Sequence, residues 1–222
     1  MTDAHCHVSC GDPAVREFLV GRDFVGIHPW EADKCSNVRM FECSNAELRE
    51  RLVADPRLGV GEIGLDRLRT REISAVMREV FEAQLKLAFE FNRPIVLHGA
   101  KCWGQVVTAV KSHCPPPPFA STFLFHGFSR SDGLLPDIVR LNGFISVGPA
   151  ILNDHAVNYR ALAKRIPADR LLVETDRTAE NAATCPAIRD VLEKLAEVRG
   201  ESAAELERVT DANASRFRGT LV

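Results

Sequence analysis

Side chains that bind metals or move protons crowd the run Asp3-Ala-His5-Cys-His7 near the start of the chain. A β-strand turns successive side chains to opposite faces, so Asp3, His5 and His7 share one face with the two imidazoles one pleat apart. That arrangement chelates a metal ion. A short apolar run closed by a histidine or a carboxylate recurs at Gly26-Ile-His28-Pro29, Gly61-Glu62-Ile-Gly-Leu-Asp66, Ile95-Val-Leu-His98-Gly99, Phe123-Leu-Phe-His126-Gly127 and Leu171-Leu-Val-Glu174-Thr-Asp176. One such histidine alone is an ordinary core residue; the repetition makes a chemical site. His5, His7, His98 and His126 supply neutral nitrogen, and Glu62 and Asp176 anionic oxygen. Six ligands exceed what one open catalytic ion takes, so two divalent ions are expected. Glu62, between glycines that let the backbone approach closely, is the carboxylate to bridge them at about 3.5–4 Å. Mixed histidine and carboxylate ligands suit Zn2+, Mn2+, Fe2+, Ni2+ and, less well, Mg2+.

These endings need strands to carry them. Short, non-alternating apolar runs predict strands over 2–7, 24–28, 59–65, 94–98, 121–126, 144–149 and 171–175, alternating with helical segments. Such runs belong to a parallel sheet covered by helices, an α/β architecture whose chemistry gathers at the C-terminal strand ends. The expected fold is a TIM-barrel-like, distorted barrel of about seven parallel strands, one short of eight, because the 16 residues between His7 and Phe24 cannot hold a strand flanked by two helices. The longest helix spans 71–91, with Ile73, Val76, Met77, Val80, Phe81, Leu87, Ala88 and Phe91 at helical spacing, and ends at Asn92 before Arg93-Pro94. Ser44 with Glu47 and Ser202 with Glu205 form capping-box pairs for helices over 45–54 and 203–217. Further helices run over 103–113 and from Pro136 to Asn142-Gly143, and the prolines 115–118 form a rigid connector. No repeat or low-complexity linker divides the chain, so residues 1–222 are expected to form a single domain.

With 222 residues, 45% of them hydrophobic, the chain can bury a sizeable core. A net charge of -2 supplies no global field for a nucleic-acid coat or an anionic membrane, so phosphate recognition must be local. Arg67, Lys101, Arg130 and Arg177 each fall within one to four residues of a proposed ligand or strand end, where they could ring the mouth and bind phosphate. The first strand begins almost at Met1 and no run of about 18 apolar residues occurs, so no signal peptide and no membrane span are read and a cytoplasmic location is expected. Seven cysteines (6, 10, 35, 43, 102, 114 and 185), an odd number without a CxxC pair, are expected as free thiols, with Cys6 buried on the face opposite the histidines. Neither a glycine-rich phosphate loop nor a nucleophile elbow is present, which disfavours nucleoside-triphosphate and serine-hydrolase chemistry.

In order along the chain, Asp3-Ala-His5-Cys-His7, Gly26-Ile-His28-Pro29, Gly61-Glu62-Ile-Gly-Leu-Asp66, the Phe81-Glu-Ala-Gln84-Leu85-Lys-Leu-Ala88 helix, Pro94 to His98, Phe125-His126-Gly-Phe-Ser129 and Leu172-Val-Glu174-Thr-Asp176 resemble the TatD family of metal-dependent hydrolases. The resemblance spans nearly the whole chain, ending at Asn213 and Arg216-Phe217. It implies a distorted TIM barrel with a dinuclear centre that hydrolyses phosphodiesters, typically DNA. It further implies that His5, His7 and Asp176 hold one ion, His98 and His126 the other, and Glu62 both, with Asp176 accepting a proton from the attacking water. His28, Asp3 and Asp66 are read as supporting these ligands or meeting substrate. DNA or a small phosphodiester is the expected partner, with no protein partner expected. Two departures concern substrate: Arg67 follows Gly-Leu-Asp where the family often has an aromatic residue, and Arg177-Thr-Ala-Glu-Asn-Ala-Ala-Thr-Cys185 lacks the usual proline- and aromatic-bearing loop. Two competing readings are a related barrel hydrolase acting on an amide, lactone or phosphomonoester, and a metal-binding protein without catalysis. Glu62 in place of a strand-end lysine, no late Asp-x-His pair and the retained Asp176 weigh against them.

Overall fold

The structure is a computed structural model and describes residues 1–32, 38–115 and 121–219, with side chains 38–44 outside the description. Strands β1 (Thr2–Cys6) and β2 (Arg16–Leu19) pair in parallel. Strands β3 (Phe24–Val25), β4 (Gly59–Asp66), β5 (Ile95–Ala100), β6 (Phe123–Phe125), β7 (Gly143–Val147) and β8 (Leu171–Val173) form a six-stranded parallel sheet in sequence order. The two sheets meet at both edges. Val20 bridges to Phe24 on one side. On the other, the backbone N–H groups of Asp176 and His7 donate to the carbonyls of His5 and Arg177 at 3.1 and 2.8 Å.

The α/β fold class stands as expected, but the strand count among the described residues is eight. Strand β2 occupies the interval judged too short for one, because it needs no flanking helices: a loop leads into it and four residues carry the chain from Leu19 to Phe24. Its polar residues disguised it. Glu17 accepts hydrogen bonds from Ser9 Oγ and the Cys10 backbone N–H (2.5 and 2.7 Å), and Arg16 Nε donates to Thr2 Oγ1 at 3.1 Å, while Phe18 and Leu19 turn into the core.

Helices follow β3 as α1 (Pro29–Ala32) and α2 (Val38–Ala54), and then each later strand: α3 (Ala75–Glu90), α4 (Trp103–His113), α5 (Leu135–Arg140) and α6 (Val157–Arg165), with α7 (Ile188–Arg199) and α8 (Ala203–Arg218) after β8. Helix α3 starts four residues later than the apolar period suggests, since Arg71 has φ 66° and Ser74 Oγ caps the Met77 N–H at 3.1 Å. Helix α2 starts before Ser44, which therefore does not cap it, and Ser202 precedes α8 without a side-chain cap bond. Cys35 and the connector prolines 116–118 lie outside the described residues. Among the described residues no helix is long and apolar enough to cross a membrane.

Two apolar clusters flank the strands. One packs Ile63, Leu97, Phe125 and Val173 against Phe81, Val106, Val110 and Leu192 of the surrounding helices. The other joins Ala4, Phe18, Phe24, Val96, Leu124, Phe144 and Leu172, one residue from each strand except β4, around Phe217 of α8, which stacks on Phe24 at 5.7 Å. Asn213 anchors that helix by donating to the carbonyls of Ala168 and Leu171 at 2.7 and 2.8 Å. Two residues beyond this apolar layer, on the same faces by strand alternation, come His98, His126, Ser146 and Glu174.

Glycines let β4 approach β5. Gly61 and Gly64 have φ of 155° and 152°, and a Cβ on Gly64 would lie 2.0 Å from the His98 carbonyl oxygen. Gly64→Ala should therefore destabilise the protein by about 3 kcal/mol, the upper part of the usual range for overpacking. For a chain of this size that lowers the melting temperature by roughly 6–12 °C. Thermal unfolding followed by circular dichroism checks this, and an unchanged melting temperature refutes it.

Candidate metal centre

The Glu62 carboxylate, 3% exposed, is the hub of the site. Its Oε2 lies 3.4 Å from Nε2 of both His5 and His7, and Asp176 Oδ1 lies 3.5 Å from the same two nitrogens. Its Oε1 meets His98 Nδ1 at 2.6 Å and His126 Nε2 at 2.5 Å, and these two nitrogens are 3.4 Å apart. Oε2 thus faces His5 and His7, and Oε1 faces His98 and His126 with His28 Nε2 further out at 3.5 Å. The first group has the spacing of co-ligands, since neighbouring ligands of a tetrahedral ion with bonds of about 2.0–2.1 Å stand about 3.3 Å apart. His5 Nε2 is buried there without a hydrogen-bond partner, a costly state that a metal ion would relieve. The donor set of nitrogen and carboxylate oxygen fits a divalent transition metal. All six expected ligand side chains therefore converge, four of them at the ends of β1, β5 and β6, with Glu62 inside β4 and Asp176 just beyond β8.

Surrounding groups orient these side chains. Asp66 Oδ2 accepts from His98 Nε2 at 3.0 Å, which leaves Nδ1 facing Glu62 as an acceptor for a metal. The same oxygen accepts from Trp30 Nε1 at 2.7 Å, and Asp66 Oδ1 accepts from the backbone N–H groups of Leu68 and Arg69, both at 2.7 Å. His28 Nδ1 accepts the Trp30 backbone N–H at 3.1 Å, so the proton of the neutral ring sits on Nε2, 3.5 Å from Glu62 Oε1. Nε2 is then a donor, which suits His28 to support Glu62 or to meet substrate, as expected, and not to ligate. Asp3 is placed differently. It accepts from Thr175 Oγ1 at 2.6 Å and from the Thr175 backbone N–H at 3.0 Å, tying β1 to the end of β8. A register irregularity between Asp3 and Cys6 breaks the alternation that put Asp3 beside His5 and His7. Burial raises its carboxyl to about 7 despite those bonds.

Glu174 stands in a motif that the sequence singles out, but sequence reasoning gave it no role. It accepts from Ser146 Oγ at 2.5 Å and from the Gly127 backbone N–H at 2.7 Å, and its Oε2 lies 3.8 Å from His126 Nδ1. Strand alternation signals it, because Leu172 faces the inner layer and Glu174 follows two residues later. Burial pushes its carboxyl up, partly offset by His126 and His5.

Opposite charge dominates elsewhere. Burial alone would raise Glu62, yet His126, His28 and His5 hold it well below the usual carboxylate range. Burial alone would also raise Asp176, yet the neighbouring imidazoles of His5 and His7 outweigh it and keep the carboxylate ionised. His7 is raised to about 9 by Asp176 and Glu62, and His98 to about 9 because Asp66 and Glu62 outweigh its burial.

Asp176, with a side chain 48% exposed, opens onto a cavity of about 1180 Å3 lined also by Arg130, His155, Tyr159, Arg165 and Asn181. Of the expected cationic rim, Arg130 is at this wall. Arg67 and Lys101 are exposed just beyond β4 and within the turn after β5. Arg177 lines a separate cavity of about 330 Å3 with Asp3, Cys10 and Cys185, because its carbonyl is held by the His7 and Val8 backbone N–H groups at 2.8 and 3.0 Å.

Comparison with known proteins shows what this chain is similar to. The family model described as TatD related DNase matches residues 20–219. An uncharacterized metal-dependent hydrolase of Bacillus subtilis, YabD, is 28% identical over 202 residues, covering 87% of this chain and 75% of that protein. The 3'-5' ssDNA/RNA exonuclease TatD of Edwardsiella piscicida is 32% identical over 152 residues, covering 68% of this chain and 55% of that protein. The crystal structure of YjjV, a TatD homolog from Escherichia coli K12, superposes with a TM-score of 0.70 at 25% identity over 93% of this chain and 78% of that one.

The raised histidines set a pH dependence. A histidine whose folded value exceeds its unfolded one contributes stability fully below about 6.5 and loses it as pH rises through the folded value. With His7 and His98 both raised to about 9, the melting temperature of metal-free protein should fall as pH rises from about 6.5 to 9. Saturating Zn2+ or Mn2+ should reduce that fall, since ligation uses the neutral imidazoles. Thermal melts with and without metal check both slopes; a flat metal-free profile contradicts the assignment.

Proposed function

This chain belongs to the TatD family of metal-dependent hydrolases, and from that membership we propose that it cleaves phosphodiester bonds of single-stranded nucleic acid with two divalent ions held around Glu62. The observation that carries this reading is the division of labour in Glu62, one oxygen toward His5 and His7 and the other toward His98 and His126. His5, His7 and Asp176 would hold one ion, His98 and His126 the other, and Glu62 both. Two bound divalent ions supply Lewis acidity that lowers the pKa of water and neutralises charge developing on the phosphate.

The chain's own groups do the rest. Asp176 is ionised and partly exposed at the cavity, so it can take a proton from the attacking water as general base. His28 presents an N–H to the Glu62 side of the site, where it can donate to a phosphate oxygen. Arg130, at the cavity wall, can bind phosphate with its planar guanidinium. Asp66 holds His98 in place by its hydrogen bond, and Glu174 places a carboxylate oxygen 3.8 Å from His126 Nδ1. We read residues 1–222 as one domain that works in the cytoplasm, a setting supported by the free thiols of Cys6, Cys10, Cys102, Cys114 and Cys185.

Metal analysis combined with turnover on single-stranded DNA, a phosphodiester and a phosphomonoester tests the reading. About two ions per chain with diesterase activity is expected; monoesterase activity alone moves the enzyme to another substrate class. Asp176→Asn should lower kcat by about 10²–10⁴-fold, the range for loss of a general base, and weaken one metal. Arg130→Ala should raise KM for a diester about tenfold with metal content intact, while Arg177→Ala, whose side chain lines the other cavity, should change KM little. Steady-state kinetics with metal analysis decide both.

A further inference from the structure

On the His98 side of the centre, away from the cavity that Asp176 opens onto, an indole is fixed at the surface. Trp30 is 38% exposed, yet its Nε1 donates to Asp66 Oδ2 at 2.7 Å, the oxygen that also meets His98 Nε2. One carboxylate therefore locks both the indole and a residue of the metal cluster. His28 stands edge-on to the indole at 4.5 Å with its other nitrogen toward Glu62. The guanidinium of Arg69 stacks over the indole, 4.2 Å from the ring centroid, and Asp66 Oδ1 fixes the Arg69 and Leu68 backbone beside it. Arg67, Leu68 and Arg69 are exposed, Leu68 by 60%.

A rigid aromatic face layered with a guanidinium, flanked by further cation and apolar surface, is the surface on which a nucleobase stacks. We propose that the Trp30–Arg69 stack is a nucleobase platform, on which the base next to the scissile phosphate lies while that phosphate is held at the Glu62 cluster. This rests on the phosphodiesterase reading and deepens it. The loop after β4 carries Arg67, Leu68 and Arg69, and Trp30 of α1 supplies the ring.

The test uses metal-loaded protein and a set of single-stranded hexanucleotides in which one abasic sugar is moved along the strand. Stacking on an aromatic side chain contributes about 1–3 kcal/mol per base, so wild-type kcat/KM should drop about tenfold or more at one abasic position. Trp30→Ala should lose a similar factor on the intact strand and no more at that position. Trp30→Phe, which keeps a ring but not the N–H to Asp66, should retain most of the preference. Equal losses by Trp30→Ala on intact and abasic strands, with Trp30→Phe as impaired as Trp30→Ala, overturn the platform and leave the indole as a prop for Asp66. A binding readout separates the two readings. Trp103 is only 4% exposed, so quenching of tryptophan fluorescence by a hexanucleotide reports on Trp30. Quenching without cleavage overturns the hydrolytic reading and upholds the platform; neither quenching nor cleavage overturns both.

Discussion

The site depends on keeping one buried carboxylate ionised. Glu62 sits inside β4 among apolar strands, where an isolated anion would take up a proton to escape desolvation. Imidazoles of His5, His7, His28, His98 and His126 surround it within 3.5 Å and reverse that tendency. Removing the anion would leave several histidines facing one another without compensation; removing the histidines would neutralise the anion. The cluster is therefore a unit, and its imidazole nitrogens and carboxylate oxygens are a donor set for divalent metal.

Strand geometry builds this unit on an apolar floor. Around Phe217, side chains from seven strands close the interior at one level, and one pleat higher the same faces present His98, His126, Ser146 and Glu174. The helix that delivers Phe217 comes from the far end of the chain, with Asn213 fastening it to the start of β8. The C-terminal helix thus supports the chemistry without touching it. The outer ring of aspartates divides its work: Asp66 orients His98 and Trp30, while Asp3 staples the strand that precedes Asp176 to β1.

The two flanks of the centre differ in character. The Asp176 flank opens into a large cavity with Arg130 at its wall. The His98 flank ends in the Trp30–Arg69 stack. The surfaces on the two sides of Glu62 therefore differ, which gives the site a direction.

Much of this was legible in the residues. Side-chain alternation and the tendency of parallel strands to end in chemistry identified His5, His7, Glu62, His98, His126 and Asp176, because these properties depend on residue type and local period. The same locality explains the misses. Strand β2 carries polar residues whose partners lie in a neighbouring loop, and Asp3 meets Thr175, a residue 172 positions away, across a strand pairing that shows a register irregularity. Glu174 obeys the alternation but is silent until Ser146 and His126 stand beside it. The sequence alone determined which atoms could bind metal and on what kind of strand they ride. Only the tertiary structure decided that His28 donates, that Arg177 leaves the mouth, and that Trp30 locks onto Asp66 from 36 residues away, since each depends on a contact between segments that no local pattern relates.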